Sequence, residues 1–159
     1  KFTKKTQYTT HTTSDKLWTA TNSQIVEGGS SNNSSSGTFI VLGDSKAVIL
    51  NGKTSAKGSL TSATLTGGIS KLSFSYTNVF SEKNGVDVTI NIKAGGTVVA
   101  TTKLDNNSVT QYTEYTYEWV LDSAVTGDFV IEIVNNSPSN NTGNKDRVAI
   151  WNLSWTSAN

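Results

Sequence analysis

A chain of 159 residues is long enough for one two-layer core and too short for two independent ones. Charged residues make up 16% of it, the formal net charge is +1 and the single arginine is Arg147, so no concentrated basic face exists to neutralise a phosphate backbone, and no nucleic acid is expected as a partner. There is no cysteine, which removes disulfides, thiolate chemistry and cysteine metal ligation.

The first 36 residues are the least regular. Thr3 to Thr13 is rich in Thr, with Tyr8 and His11 interspersed, and suits an edge strand despite poor alternation. Leu17 to Ala20 and Gln24 to Glu27 are short strand candidates. Gly28 to Gly37 is a Gly/Ser/Asn run expected to form a long surface loop. Lys1 to Lys5 is not followed by an apolar segment, and no apolar run of about 18 residues occurs anywhere. The chain therefore reads as a mature module whose export signal lies elsewhere, with no membrane segment.

From Thr38 onward the pattern is β throughout. Phe39 to Leu42 and Ala47 to Leu50 are apolar runs, and Asn51-Gly52 predicts a tight turn. Leu60 to Leu65 follows. Leu72, Phe74 and Tyr76 then alternate with serines, and Val86, Val88, Ile90 and Ile92 alternate with polar residues, so each apolar set shares one face. Gly95-Gly96 turns the chain into Thr97 to Ala100. Tyr115, Tyr117, Trp119 and Leu121, and later Phe129, Ile131 and Ile133, repeat the alternation. Asn135 to Lys145 is a second polar loop, holding the only proline. Short strands at this spacing, with Gly and Asn turns and no helical period, predict an all-β sandwich or barrel. The expected organisation is a single β-sandwich module over 1–159, with irregular N-terminal strands and a loop over 1–36 and the regular sandwich over 37–156. Its predicted core includes Leu72, Phe74, Tyr76, Val88, Ile90, Trp119, Phe129, Ile131 and Ile150.

The last strand breaks the rule. In Asp146 to Thr156 strict alternation leaves neither face clean, and a bulge near Trp151-Asn152 repairs it by letting Val148, Ile150, Leu153 and Trp155 point inward while Trp151 turns out. Trp119, in register with Tyr115, Tyr117 and Leu121, reads as a packing residue and Trp155 as a lid on the core.

Leu50-Asn51-Gly52-Lys53, Gly67 to Tyr76, Gly127 to Ile133, Arg147 to Ile150 and Ser154-Trp155-Thr156 together resemble a family of β-jelly-roll accessory modules of the carbohydrate-binding type. These are appended to secreted bacterial polysaccharide-degrading enzymes, pectate lyases among them. The likeness runs from about Trp18 to Thr156. It implies an all-β, two-sheet antiparallel β-sandwich of jelly-roll type, and an extracellular, noncatalytic module, attached to a catalytic domain and acting as a monomer, that targets the enzyme to plant or microbial polysaccharide. The family's last strand more commonly has an acidic residue where Trp151 stands, a place where related jelly rolls can hold structural calcium. An indole lacks the hard oxygen that calcium needs, so no metal or cofactor is expected, with only Glu27, Asn152 and backbone oxygens left as donors.

An exposed indole can cover the apolar face of a sugar ring. Removing ~80 Å² of apolar surface from water contributes roughly 2 kcal/mol, which gives weak, roughly micromolar to millimolar binding. The expected ligand site is therefore Trp151 as stacking platform, with Asn84, Asn144, Lys145, Arg147 and the loop lysine Lys83 as polar or ionic partners. Cations there would suit a galacturonan such as pectin; neutral β-glucan and hemicellulose stay equally open. A structural or protein-interaction jelly roll, with Trp151 buried, is the alternative. A catalytic reading has little to stand on: His11 lacks an evident partner, and Glu118 and Glu132, on outward positions of strands that could be neighbours, are an acidic pair of the kind a sheet face brings together by chance.

Overall fold

Period-two alternation becomes strand in every segment from residue 47 onward where it was predicted, because each such segment has an apolar face to bury. The structure is a computed structural model that describes residues 5–26, 31–34, 37–40, 47–80, 84–140, 142–143 and 146–158, with backbone alone for 5, 6, 31–34 and 37–40. Among the described residues twelve strands run in chain order as β1 (Lys5–Thr12), β2 (Trp18–Val26), β3 (Ser31–Ser34), β4 (Gly37–Ile40), β5 (Ala47–Leu50), β6 (Ser59–Ser62), β7 (Ile69–Asn78), β8 (Val86–Ala94), β9 (Thr97–Asn106), β10 (Tyr115–Val125), β11 (Val130–Asn135) and β12 (Val148–Thr156). No helix is found among the described residues.

The strands pair in the order β10-β7-β12-β5-β2-β6-β11-β8-β9, all antiparallel, and β2 is where one sheet passes into the other. Along one edge of β2, Ser23 to Val26 pair with β5 and Trp18 to Thr21 pair with β6; the other edge carries β1. Between the two halves lies Asn22, in the left-handed region at φ 49°, a conformation Asn tolerates better than most residues. The first sheet is thus β10-β7-β12-β5 with the second half of β2, and the second is β6-β11-β8-β9 with its first half. Between them the main core packs Val48, Leu50, Leu72, Phe74, Tyr76, Val148 and Ile150 against Leu60, Val88, Ile90, Ile92, Ile131 and Ile133. All nine predicted core residues belong to it, Trp119 as a half-buried member. The architecture is the predicted two-sheet jelly roll.

Three local expectations change. Residues 5–26 hold the expected strands, but the two short candidates at Leu17 to Ala20 and Gln24 to Glu27 are one continuous β2, a corner strand that pairs with both sheets on one edge and with β1 on the other. Part of the predicted Gly28 to Gly37 loop is a hairpin, Ser31–Ser34 with Gly37–Ile40; residues 28–30 and 35–36 lie outside the described residues. Asn51-Gly52 does not close a hairpin either. β5 and β6 are not paired to each other, and 51–58 carries the chain from one sheet to the next with its turn at Lys53 to Ala56 (Ala56 N donating to Lys53 O, 2.9 Å). The true two-residue hairpin is Gly95-Gly96, where φ values of 58° and 81° match a type I′ turn between Ala94 and Thr97.

Candidate functional site

β12 has the predicted bulge. Trp151 pairs with Ser75 and Ser154 with Ser73, so three steps on β12 meet two on β7, and Asn152 takes φ 52°. Val148 and Ile150 join the main core and Leu153 packs against it, while Ala149 and Trp151 face the other way. That other side is not solvent. Trp151 is only 3% exposed, enclosed with Val26, Ala47, Ile49, Val79, Phe80 and Ala149 in a second cluster flanked by Tyr8 and Tyr112. The expected surface platform at Trp151 is therefore corrected. The strand phase is right, but residues distant in sequence cover the face onto which it turns the indole.

The other predicted site residues divide in two. The 77–85 and 135–146 loops do converge: Asn84 Nδ2 donates to Asp146 Oδ1 at 2.6 Å and to Ser139 Oγ at 3.5 Å. Asn84 is thus committed to tying the loops together. Arg147 lies over the Phe80 ring, 4.3 Å from its centroid, and its Nη1 donates to Tyr8 Oη at 3.3 Å. Lys83, Asn144 and Lys145 lie outside the described residues. Phe80 and Tyr112 both sit at positive φ, 61° and 62°, uncommon for aromatic residues, and are locked together by Tyr112 Oη donating to Phe80 O at 3.0 Å. Gln111 Nε2 donates to the same carbonyl.

Beside Tyr8 is the feature that sequence reasoning missed. Gln7, Tyr8 and Thr9 of β1, Asn22 and Gln24 of β2, and Asn51, Lys53 and Ala56 of the following crossover line an open cleft of about 540 Å³. The crossover is held in shape by short-range bonds: Gly58 N donates to Asn51 O (2.7 Å), Lys53 N to Asn51 Oδ1 (3.3 Å) and Asn22 Nδ2 to Lys57 O (3.2 Å). Gly58 is required there, since a Cβ would lie 2.6 Å from Leu50 Cα and collide with Asn51 N. The lining carries four carboxamides, one phenol and one ammonium, and no carboxylate. Lys53 forms no ion pair among the described residues. No periodicity in the sequence marks these residues, because strand pairing and a crossover bring three separate segments together.

Nothing in the described residues resembles a catalytic set. His11 Nε2 lies 3.2 Å from Gln7 O and 3.2 Å from Thr9 Oγ1. Glu118 and Glu132 are on strands that are not neighbours and each meets a lysine, Lys71 at 3.5 Å and Lys93 at 2.8 Å. Burial would raise the Glu132 carboxyl, but hydrogen bonds from Lys93 and Asn91 with the Lys93 charge outweigh it and hold the group below its ordinary value. At the last strand the buried Trp151 supplies no oxygen, Asn152 is exposed, and Glu27 lies outside the described residues. Among the described residues no group of three His, Cys, Asp or Glu could hold a metal ion.

No protein-family model matches the chain, and no curated protein matches it either. Solved structures do. The carbohydrate-binding module TmCBM61, determined in complex with β-1,4-galactotriose, aligns with a TM-score of 0.54 at 15% identity over 88% of each chain. A family 6 carbohydrate-binding module aligns at 0.46 with 19% identity, over 85% of this chain and 94% of that one. The CBM36-1 domain of a multidomain xylanase from the hindgut metagenome of Trinervitermes trinervoides aligns at 0.40 with 20% identity, over 83% and 94%. The chain therefore has the β-jelly-roll fold found in carbohydrate-binding modules.

Proposed function

We propose that the chain is a noncatalytic carbohydrate-binding module that holds a secreted bacterial glycan-degrading enzyme near its polysaccharide. The observation that carries this reading is the cleft between β1, β2 and the 51–58 crossover. At about 540 Å³ it has the size of a small-ligand site. Carboxamides can both donate to and accept from a sugar's hydroxyls, and the half-buried Tyr8 ring supplies an apolar surface whose tip Arg147 and whose base the second cluster hold in place. Such a site binds weakly, which suits a module whose benefit is proximity. The resemblance of the sequence to accessory modules and the likeness of the fold to a galactotriose-binding module favour a glycan over other polar ligands. Lys53, without a carboxylate in the lining, favours an acidic chain, and galacturonan, the backbone of pectin, is the polysaccharide we put first.

Affinity electrophoresis in gels containing galacturonan, xylan or β-glucan tests this. Wild type should be retarded, most strongly by galacturonan, and Tyr8→Ala should bind about thirtyfold more weakly, the effect of losing roughly 2 kcal/mol of stacking. Lys53→Gln should weaken galacturonan binding alone and flatten its salt dependence. A wild type that no gel retards, or a folded Tyr8→Ala with unchanged mobility, would overturn the reading.

A further inference from the structure

A second hollow lies where the two sheets part. Among the described residues β5 pairs with β12 at Val148 to Ile150, and the bulge at Asn152 bends β12 beyond that point. Across the gap stand Trp18, the first residue of β2, and Leu60 of β6. With Val48, Ile150, Leu153 and Trp155 they enclose about 160 Å³, completed by Trp151 and Asn152. The Trp18 and Trp155 rings are 6.3 Å apart at 57°, and Phe129 meets Trp155 edge-on at 6.4 Å and 77°. Trp155 is 38% exposed, so the hollow reaches the surface beside it. The expectation that Trp155 would be a closed lid over the core is revised accordingly: it forms one wall of an opening.

We propose that this hollow is a binding site for a single six-membered aromatic ring. Three features point to that chemistry. The hollow, about 160 Å³ in volume and lined mainly by apolar side chains, has room for a benzene-sized guest. Two tilted indoles and a neighbouring phenyl edge present both faces and edges, the arrangement in which a third ring finds offset or edge-to-face contacts. A sugar fits badly, because hydroxyls pressed against Val48, Leu60, Ile150 and Leu153 would lose water without gaining partners. The ligand is therefore an aromatic group with polar substituents confined to the mouth. It is distinct from the glycan proposed for the polar cleft, since Trp18 and Gln24 stand six residues, up to about 20 Å, apart along β2.

Phenol and toluene are the probes, read by two-dimensional NMR of the full chain. Both should give saturable shifts with dissociation constants in the roughly millimolar range, confined to the indole N–H signals of Trp18 and Trp155 and the methyl signals of Leu60, Ile150 and Leu153. Leu60→Phe should fill the hollow and abolish the shifts while leaving retention in polysaccharide gels unchanged, which separates this site from the cleft. Should that variant fail to fold, Trp155→Ala at the exposed rim decides, with a loss of tenfold or more expected. Shifts that rise linearly to the solubility limit, or that survive the rim variant, would overturn the proposal.

Discussion

The inner faces of the two sheets are alike, and their outer faces are not. On the second sheet the outer face is solvent-facing and polar: Glu132 bonds to Lys93 and Asn91, Asp87 to Lys103 and Asn136, and Thr89 to Asn136. On the first sheet the corresponding face is buried at its centre, where Ala47, Ile49, Ala149 and Trp151 form a second cluster beneath Phe80, Tyr8 and Tyr112, and Ser75 and Thr77 are buried with them. A strand with one wet face must alternate, whereas a strand covered on both faces is free not to. β11 shows the first behaviour, alternating buried and half-buried along its length. β5 shows the second, with all four residues buried.

That difference also sets what could be read from the sequence. Val86 to Ile92, Leu72 to Tyr76 and Phe129 to Ile133 announced their faces, and with them the sandwich and its core, because hydrophobic spacing alone fixes which way each side chain points. The bulge in β12 was legible for the same reason, as the only way to keep Val148, Ile150 and Leu153 on one side. The burial of Trp151 was not. Its cover comes from Tyr8, some 140 residues earlier, and from Phe80 and Tyr112, whose left-handed backbones no local pattern reveals. The polar cleft was hidden in the same way, being assembled from β1, β2 and a crossover taken for a tight turn.

The comparison is broken most severely at Trp151. If the second cluster is a true core, Trp151→Ala should destabilise the fold by about 3–5 kcal/mol, against about 2–5 kcal/mol for Ile131→Ala between the sheets. Denaturant midpoints measure both. A Trp151→Ala protein as stable as wild type would mean that the outer face of the first sheet is open after all. The binding readout sharpens the contrast: Trp151→Ala should also weaken glycan retention by removing support beneath Tyr8, whereas Ile131→Ala, if folded, should not.

A smaller effect is expected where the loops meet. Asn135 is fully buried at the end of β11, its Nδ2 donating to Leu50 O at 3.2 Å and to Asp146 O at 2.8 Å while Ser137 N donates to its Oδ1 at 2.9 Å. It joins both sheets through the backbone of β5 and the approach to β12. Asn135→Ala strands two carbonyls and an N–H at a cost of about 1–3 kcal/mol. Amide hydrogen exchange should show the loss concentrated at Ser137, whose N–H loses its acceptor. Protection lost evenly across the second sheet would show instead that Asn135 only fills space.

The smallest effect tests the wet face, through Glu132. Its folded carboxyl is held below the ordinary value of 4.5, burial opposing the shift and the bonds from Lys93 and Asn91 driving it. A carboxylate whose affinity for protons falls on folding stabilises the protein fully above its unfolded value, and that contribution fades as pH drops through the folded one. The pair is partly exposed, 30% for the Lys93 side chain and 22% for that of Glu132, so solvent screens it and about 1 kcal/mol is the ceiling. Glu132→Gln should therefore melt slightly below wild type at neutral pH, and the gap should narrow as pH falls below 4.5. Added salt should shrink it as well. A gap that stayed constant across that acid range would mean the glutamate acts through packing rather than charge, and this face would then resemble its buried counterpart more than its hydrogen bonds suggest.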